Sequence, residues 1–157
     1  MKVAVVIPFY NRIDLLKRSL ESLCGYPVYV VNDGGIKIED LGVFVECKTK
    51  RTGMGFATAA NLGISNAQKD GFEWVVVLND DAIISIPDLT GMCELIDQDT
   101  GAIGPIIYNS SGIESAGIRV SSWGRVVNLS KKKDSDIVVD AISGACMLIP
   151  TWARFDA

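Results

Sequence analysis

Apolar residues along this chain come in short runs that stop abruptly at polar clusters. Val3 to Ile7, Val28 to Val31 and Phe72 to Leu78 are almost continuously hydrophobic and rich in β-branched residues, the mark of strands covered on both faces, as in parallel sheets. The last of these runs straight into Asn79-Asp80-Asp81-Ala82 and organises the chain: a buried strand with acids on its tip. Between the runs the period changes. Ile13, Leu16, Leu20 and Leu23 repeat at helical spacing with Lys17, Arg18 and Glu21 facing out; Asn11 or Asp14 is the predicted cap, and Gly25 and Pro27 the stop. Strand, helix and strand at this spacing form a βαβ unit, which implies a parallel pair and a right-handed crossover. Val43 to Cys47 is predicted as a third strand. Gly53-Met54-Gly55 then opens a helix over Phe56 to Gln68, whose Ala57, Ala60, Gly63 and Ala67 allow close approach to the sheet, with Gly71 as its stop. Pro87-Asp88-Leu89 starts a further helix through Ile96, with Leu89, Met92 and Ile96 inward.

From Gly101 the pattern is different. Ile103 to Ile107, Ile113 to Ala116, Ile118 to Ser121, Arg125 to Leu129 and Ile137 to Val139 are short, Gly-punctuated and strand-like, with Ser122-Trp123-Gly124 as a hairpin tip. Ala145 to Ile149 is a final buried strand, introduced by Ser143-Gly144 and closed by Pro150. With no internal repeat or linker, residues 1–157 are expected to form one α/β domain, Rossmann-like, with a mostly parallel sheet and a mixed or antiparallel second half.

Composition narrows the partners. The 157 residues are 48% hydrophobic, which suits one domain with a real core. Fifteen Lys and Arg against 19 Asp and Glu give a net charge of −4, so there is no global basic field for nucleic acid. Lys131-Lys132-Lys133, followed by Asp134 and Asp136, is a solvated loop or a contact with anionic lipid. Cys24, Cys47, Cys93 and Cys146 are widely separated and are expected to be buried thiols in a reducing compartment. The absence of His removes the usual zinc sites and any His-dependent triad. The apolar N-terminus is cut short by Pro8 and Asn11-Arg12, so it is a first strand rather than a signal peptide. No segment has the length of a membrane span. The expected location is the cytoplasm, with peripheral association at the inner face of the membrane.

Candidate chemistry gathers at three strand ends: Pro8 to Asn11, Asn32 to Gly35, and Asn79 to Asp81. In a parallel sheet these share one edge, bringing Asp33 and the acid pair to one cleft. Asp33 can accept a hydrogen bond from a nucleobase imide or a ribose hydroxyl, or form an Asx-turn feeding Gly34. Two carboxylates facing one cleft repel each other and lose hydration, a cost that a divalent cation with oxygen ligands offsets; the plainer alternative is a turn that caps the helix near Pro87. Gly53-Met54-Gly55-Phe56-Ala57-Thr58 also matches GxGxxT, which leaves an NAD(P)-dependent oxidoreductase open, although the glycines do not directly follow a strand.

Five motifs in order make a more specific pattern: Val5-Val6-Ile7-Pro8-Phe9-Tyr10-Asn11-Arg12, Val30-Val31-Asn32-Asp33-Gly34-Gly35, residues 55–64 (GFATAANLGI), Leu78-Asn79-Asp80-Asp81, and residues 143–149 (SGACMLI). Together they resemble the inverting family 2 glycosyltransferases of GT-A fold, and most closely their rhamnosyl- and galactofuranosyltransferase-like branch. The resemblance implies transfer of a sugar from a UDP- or dTDP-sugar donor to a glycan or lipid-linked acceptor. It implies a nucleotide-sugar site made of Pro8, Phe9, Tyr10, Asn11, Asp33, Gly55, Asn61, Asn79, Asp80, Ser143, Gly144 and Ala145, with Asp33 on the base. Asn79-Asp80-Asp81 takes the place of the family's DxD motif, with Asp81 as ligand to Mg²⁺ or Mn²⁺. The pattern departs at Asn79, which replaces the first acid, and at Gly53, where the family has Asn. Ser143-Gly144 fits a tight lead-in to a core strand equally well. Phe155-Asp156-Ala157 resembles the family's Phe-Asp-Glu, and the family's catalytic base, in a Glu-Asp motif, is expected beyond Ala157. The chain is therefore read as a domain lacking its C-terminal part, or else as a non-catalytic nucleotide-sugar-binding domain.

Overall fold

A computed structural model describes residues 1–38, 41, 44–132 and 135–156. Its centre is a five-stranded sheet of β1 (Val3–Phe9), β2 (Val28–Asn32), β3 (Val45–Lys48), β4 (Trp74–Leu78) and β9 (Cys146–Pro150), in the order β3-β2-β1-β4-β9. The first four strands are mutually parallel, and β9 runs antiparallel to β4. The mostly parallel sheet expected from the apolar runs is what forms.

Both faces are covered, which is why these strands are apolar throughout. On one face Val5, Ile7, Phe9, Val76 and Leu78 pack with Leu16 and Leu23 from the α1 side and with Leu89 and Met92 of α3. Here α1 is Ile13–Ser22 and α3 is Ile86–Glu94. On the other face Ala4, Val6, Val31, Val75 and Val77 meet Ala59, Ala60, Ile64 and Ala67 of α2 (Phe56–Lys69). The chain moves one way along the sheet from β1 to β2 and the other way from β3 to β4, and a fixed crossover hand then puts the connecting helices on opposite faces. Helix α2 approaches very closely. A Cβ on Gly63 would lie 2.3 Å from Val6 Cγ1 and 2.9 Å from Val31 Cγ2.

Several expectations need correction. Neither Asn11 nor Asp14 caps α1. The N-cap is Arg12, without a side-chain cap bond, and the Asp14 carboxylate is taken by the Arg12 guanidinium at 3.0 and 3.1 Å. Helix α3 is capped by Ser85, which accepts from the Asp88 N–H at 3.2 Å, not by the acid pair, and it ends at Glu94 rather than Ile96. The third strand starts at Val45 and is an edge strand; Val43 lies outside the described residues, as do Lys133, Asp134 and Ala157. Of the cysteines Cys146 alone is buried, and burial pushes its thiol up to about 12; Cys24 is exposed at the end of α1 and the other two are intermediate.

The second half is hairpins, as its short runs suggested, with shifted bounds. Strands β5 (Ile107–Asn109) and β6 (Gly112–Ser115) pair antiparallel, as do β7 (Ile118–Val120) and β8 (Val126–Asn128). Ile103 to Ile107 is not a strand. Ile103 makes one bridge to Leu148, after which Gly104-Pro105 intervenes, and proline has no N–H for a ladder. Ile137 to Val139 is not a strand either; the residues after it are tied to β7 by the isolated Ile118–Ala141 bridge and by Asp140, not by a ladder. Among the described residues, no helix is long and apolar enough to cross a membrane.

Candidate active site

The strand order reverses at β1, with β2 and β3 on one side of it and β4 and β9 on the other. Crevices at such reversals, outside the carboxyl ends of the strands, are where open α/β sheets bind ligands. The β1 end supplies Pro8 to Asn11 and the β4 end supplies Asn79-Asp80-Asp81. The three polar residues form a turn closed by the Ala82 N–H on the Asn79 carbonyl at 3.1 Å. The Asn79 N–H donates to the Ala145 carbonyl at 3.0 Å, and the Ala145 N–H to Ser143 Oγ at 3.3 Å, which seats the Ser143-Gly144-Ala145 segment beside the acidic tip.

The two acids differ. Asp80 is half-buried, and burial, with the Asp81 charge adding to it, pushes its carboxyl above the usual range against the pull of the Tyr10 N–H and Arg12. Asp81 is exposed, so the buried acid at the strand tip is its neighbour. Arg12, which the sequence reading left out of the site, sits in the field of both acids.

Asp33 is 5% exposed. Its carboxylate accepts from the Met54 N–H at 2.9 Å, the Gly55 N–H at 2.8 Å and Thr49 Oγ1 at 2.8 Å. The Asp33 N–H donates to the Phe9 carbonyl and its own carbonyl accepts from Gly53, both at 2.8 Å. Burial alone would raise its pKa, but the bonds from Met54, Thr49, Gly55 and Gly53 outweigh that and hold the carboxyl below the usual range. The Asx-type turn belongs to Asn32, whose Oδ1 accepts from the Gly35 N–H at 3.0 Å. Gly34 is where the β1 and β2 loops touch: a Cβ there would fall 1.3 Å from the Tyr10 carbonyl oxygen.

The other predicted residues divide. Tyr10 and Asn11 are exposed beside the acidic tip, whereas the Phe9 ring is in the core. Gly55 caps α2 and holds Asp33. Asn61 is engaged from both ends by Phe155, donating to its carbonyl at 2.8 Å and accepting from its N–H at 2.9 Å. Phe155 also meets Phe56 edge to face at 5.4 Å, so the segment after β9 returns along α2 toward the edge that carries Asp33. A cavity of about 870 Å³ is walled by residues 99–106 and 135–143 and reaches Ser143, but includes none of Asp33, Asp80 and Asp81.

This geometry defines a class: an α/β domain with acids at the reversal point of its sheet and glycine-shaped loops around them. The family model described as Glycosyl transferase family 2 matches residues 4–151, and the chain belongs to that family. Its fold is the GT-A fold, and membership brings a nucleotide-sugar donor and an acceptor. No curated protein matches the chain. The oxidoreductase alternative gives way to the family match. The N–H groups of Met54 and Gly55, which a dinucleotide pyrophosphate would need, are moreover spent on Asp33.

Proposed function

We propose that this chain binds a UDP- or dTDP-sugar along the carboxyl edge of its sheet, for inverting transfer to a glycan or lipid-linked acceptor, in the manner of the rhamnosyltransferase-like branch. The observation that supports this most is the Asn79-Asp80-Asp81 turn beside the Tyr10-Asn11 loop at the strand-order reversal. In this reading Tyr10 and Asn11 flank the nucleoside, and Asp33 fixes the floor of its site through the start of α2. Ser143 and Ala145 border the sugar, next to the 870 Å³ cavity that suits an acceptor.

Mg²⁺ or Mn²⁺ fits the donor set, since two carboxylates and an amide are the hard oxygen ligands these ions prefer. Among the described residues, no three acids, histidines or cysteines converge on a metal position, so the ion would take further oxygens from the diphosphate. Asp81, exposed and adjacent to the half-buried Asp80, is the proposed ligand. When bound, the ion neutralises charge that develops on the departing diphosphate. The protein's own part is to hold the nucleotide, orient the anomeric carbon and leave the face opposite the diphosphate open to the acceptor hydroxyl.

Asp81→Ala tests the assignment. Because the side chain is exposed, the variant is expected to keep its melting temperature while its affinity for nucleoside diphosphate falls to the metal-free level. Calorimetry with and without Mn²⁺ measures this, and a folded variant with unchanged Mn²⁺-dependent affinity would overturn the metal site.

A further inference from the structure

Residues 115–133 hold five of the fifteen basic residues of the chain and none of its nineteen acids, although the whole molecule is net negative. Most of this stretch is the β7–β8 hairpin. Its register pairs Val120 with Val126 at the outer end, where Gly124, at φ 75°, closes a tight turn by donating to the Ser121 carbonyl at 2.9 Å. Trp123 stands on that turn, 94% exposed. The Ile118–Ala141 bridge and the bond from the Val120 N–H to Asp140 Oδ2 at 2.9 Å hold residues 140–141 against β7. At the outer end of the hairpin Val120 and Val126 are exposed, Val126 to 65%. Of the cations, Arg119 pairs with Asp140 at 3.9 Å, whereas Arg125, Lys131 and Lys132 make no ion pair among the described residues.

We propose that this hairpin is a docking surface for an anionic lipid bilayer, with Trp123 entering the headgroup boundary and Arg125, Lys131 and Lys132 against lipid phosphates. An indole is suited to that boundary because its ring is apolar and its N–H is polar. Basic side chains near an anionic leaflet each add attraction. A nucleic acid or an acidic protein would satisfy the charges but leave the valines in water. Docking deepens the lipid-linked-acceptor side of the proposed function and rests on that reading for its purpose, but it is measured without any sugar donor.

The test is sedimentation with vesicles of phosphatidylcholine alone or with about a third phosphatidylserine, in parallel with nucleotide binding on the same preparation. The full chain is expected to sediment with the anionic vesicles and far less with the neutral ones. Trp123→Ala should weaken binding about tenfold, and replacing Arg125, Lys131 or Lys132 by Glu should weaken it by about fivefold or more each. With Trp74→Phe and Trp152→Phe leaving Trp123 as the sole reporter, its emission should shift to the blue on binding; sedimentation of Trp123→Ala stands by itself if that variant unfolds. No sedimentation, equal sedimentation of Trp123→Ala, or tighter binding to heparin or RNA than to vesicles would each overturn the proposal. Retained nucleotide binding in any of those cases would show that docking, not the transferase reading, has failed.

Discussion

Asp33 shows how one residue serves fold and site together. Its carboxylate ties the start of α2 to the end of β2, and its backbone ties both to the end of β1. Because its folded pKa lies below the usual value, the unfolded chain binds a proton more readily. The stability it contributes is present in full above the unfolded pKa, about 3.9, and is lost as pH falls through the folded value. Asp33→Asn is expected to cost roughly 1.5–3 kcal/mol at neutral pH, the scale of hydrogen bonds to a charged group. Urea titrations at pH 7 and near pH 3 check the sign, since the gap between variant and parent should shrink in acid. The sequence singled out Asp33 because a polar residue ends an apolar run. Its partners were not legible, because the return of Thr49, Met54 and Gly55 depends on left-handed backbone at Gly53 and Gly55 and on contacts across 16 to 22 positions. Asn61 is the same case at a separation of 94.

Among the elements, α2 is the one whose fit was foretold by composition. Small residues at helical spacing predicted close packing, and the structure adds which neighbours are close. Gly63→Ala would gain about 1 kcal/mol of helix propensity, yet the added methyl meets Val6 at 2.3 Å. Overpacking of this kind costs about 1–3 kcal/mol, so a net loss is expected. Val6→Ala in the Gly63→Ala background should recover part of it, and a double-mutant cycle by denaturant melts measures the coupling. The parallel strands were legible because burial on both faces writes an unbroken apolar run. The hairpin strands β5 to β8 were blurred because each is short and largely exposed, so alternation has little length in which to show. Pro105 also halts a run that hydrophobicity alone would extend.

At the scale of the molecule, several described acids already have roles. Asp33 is spent on α2, Asp81 is the proposed metal ligand beside the half-buried Asp80, and Asp140 accepts from Val120. Inverting transfer needs a base at the acceptor hydroxyl, worth about two to four powers of ten in rate. These 157 residues, assayed alone, are expected to bind nucleotide sugar more tightly with a divalent ion than without it. A binding assay with and without the ion checks this, and turnover in a product assay on the same preparation would send attention first to Asp140 and Asp156.

Arg125, Lys131 and Lys132, with no ion pair among the described residues, would be drawn toward a negatively charged surface ahead of the rest of a net-negative molecule, so that a larger share of collisions begin hairpin foremost. Ionic strength would then act first on how often the protein arrives, since screening shortens the reach of the field to about 8 Å at physiological salt. Once Trp123 is seated, how long the protein stays would depend on the buried ring rather than on the charges that steered it there.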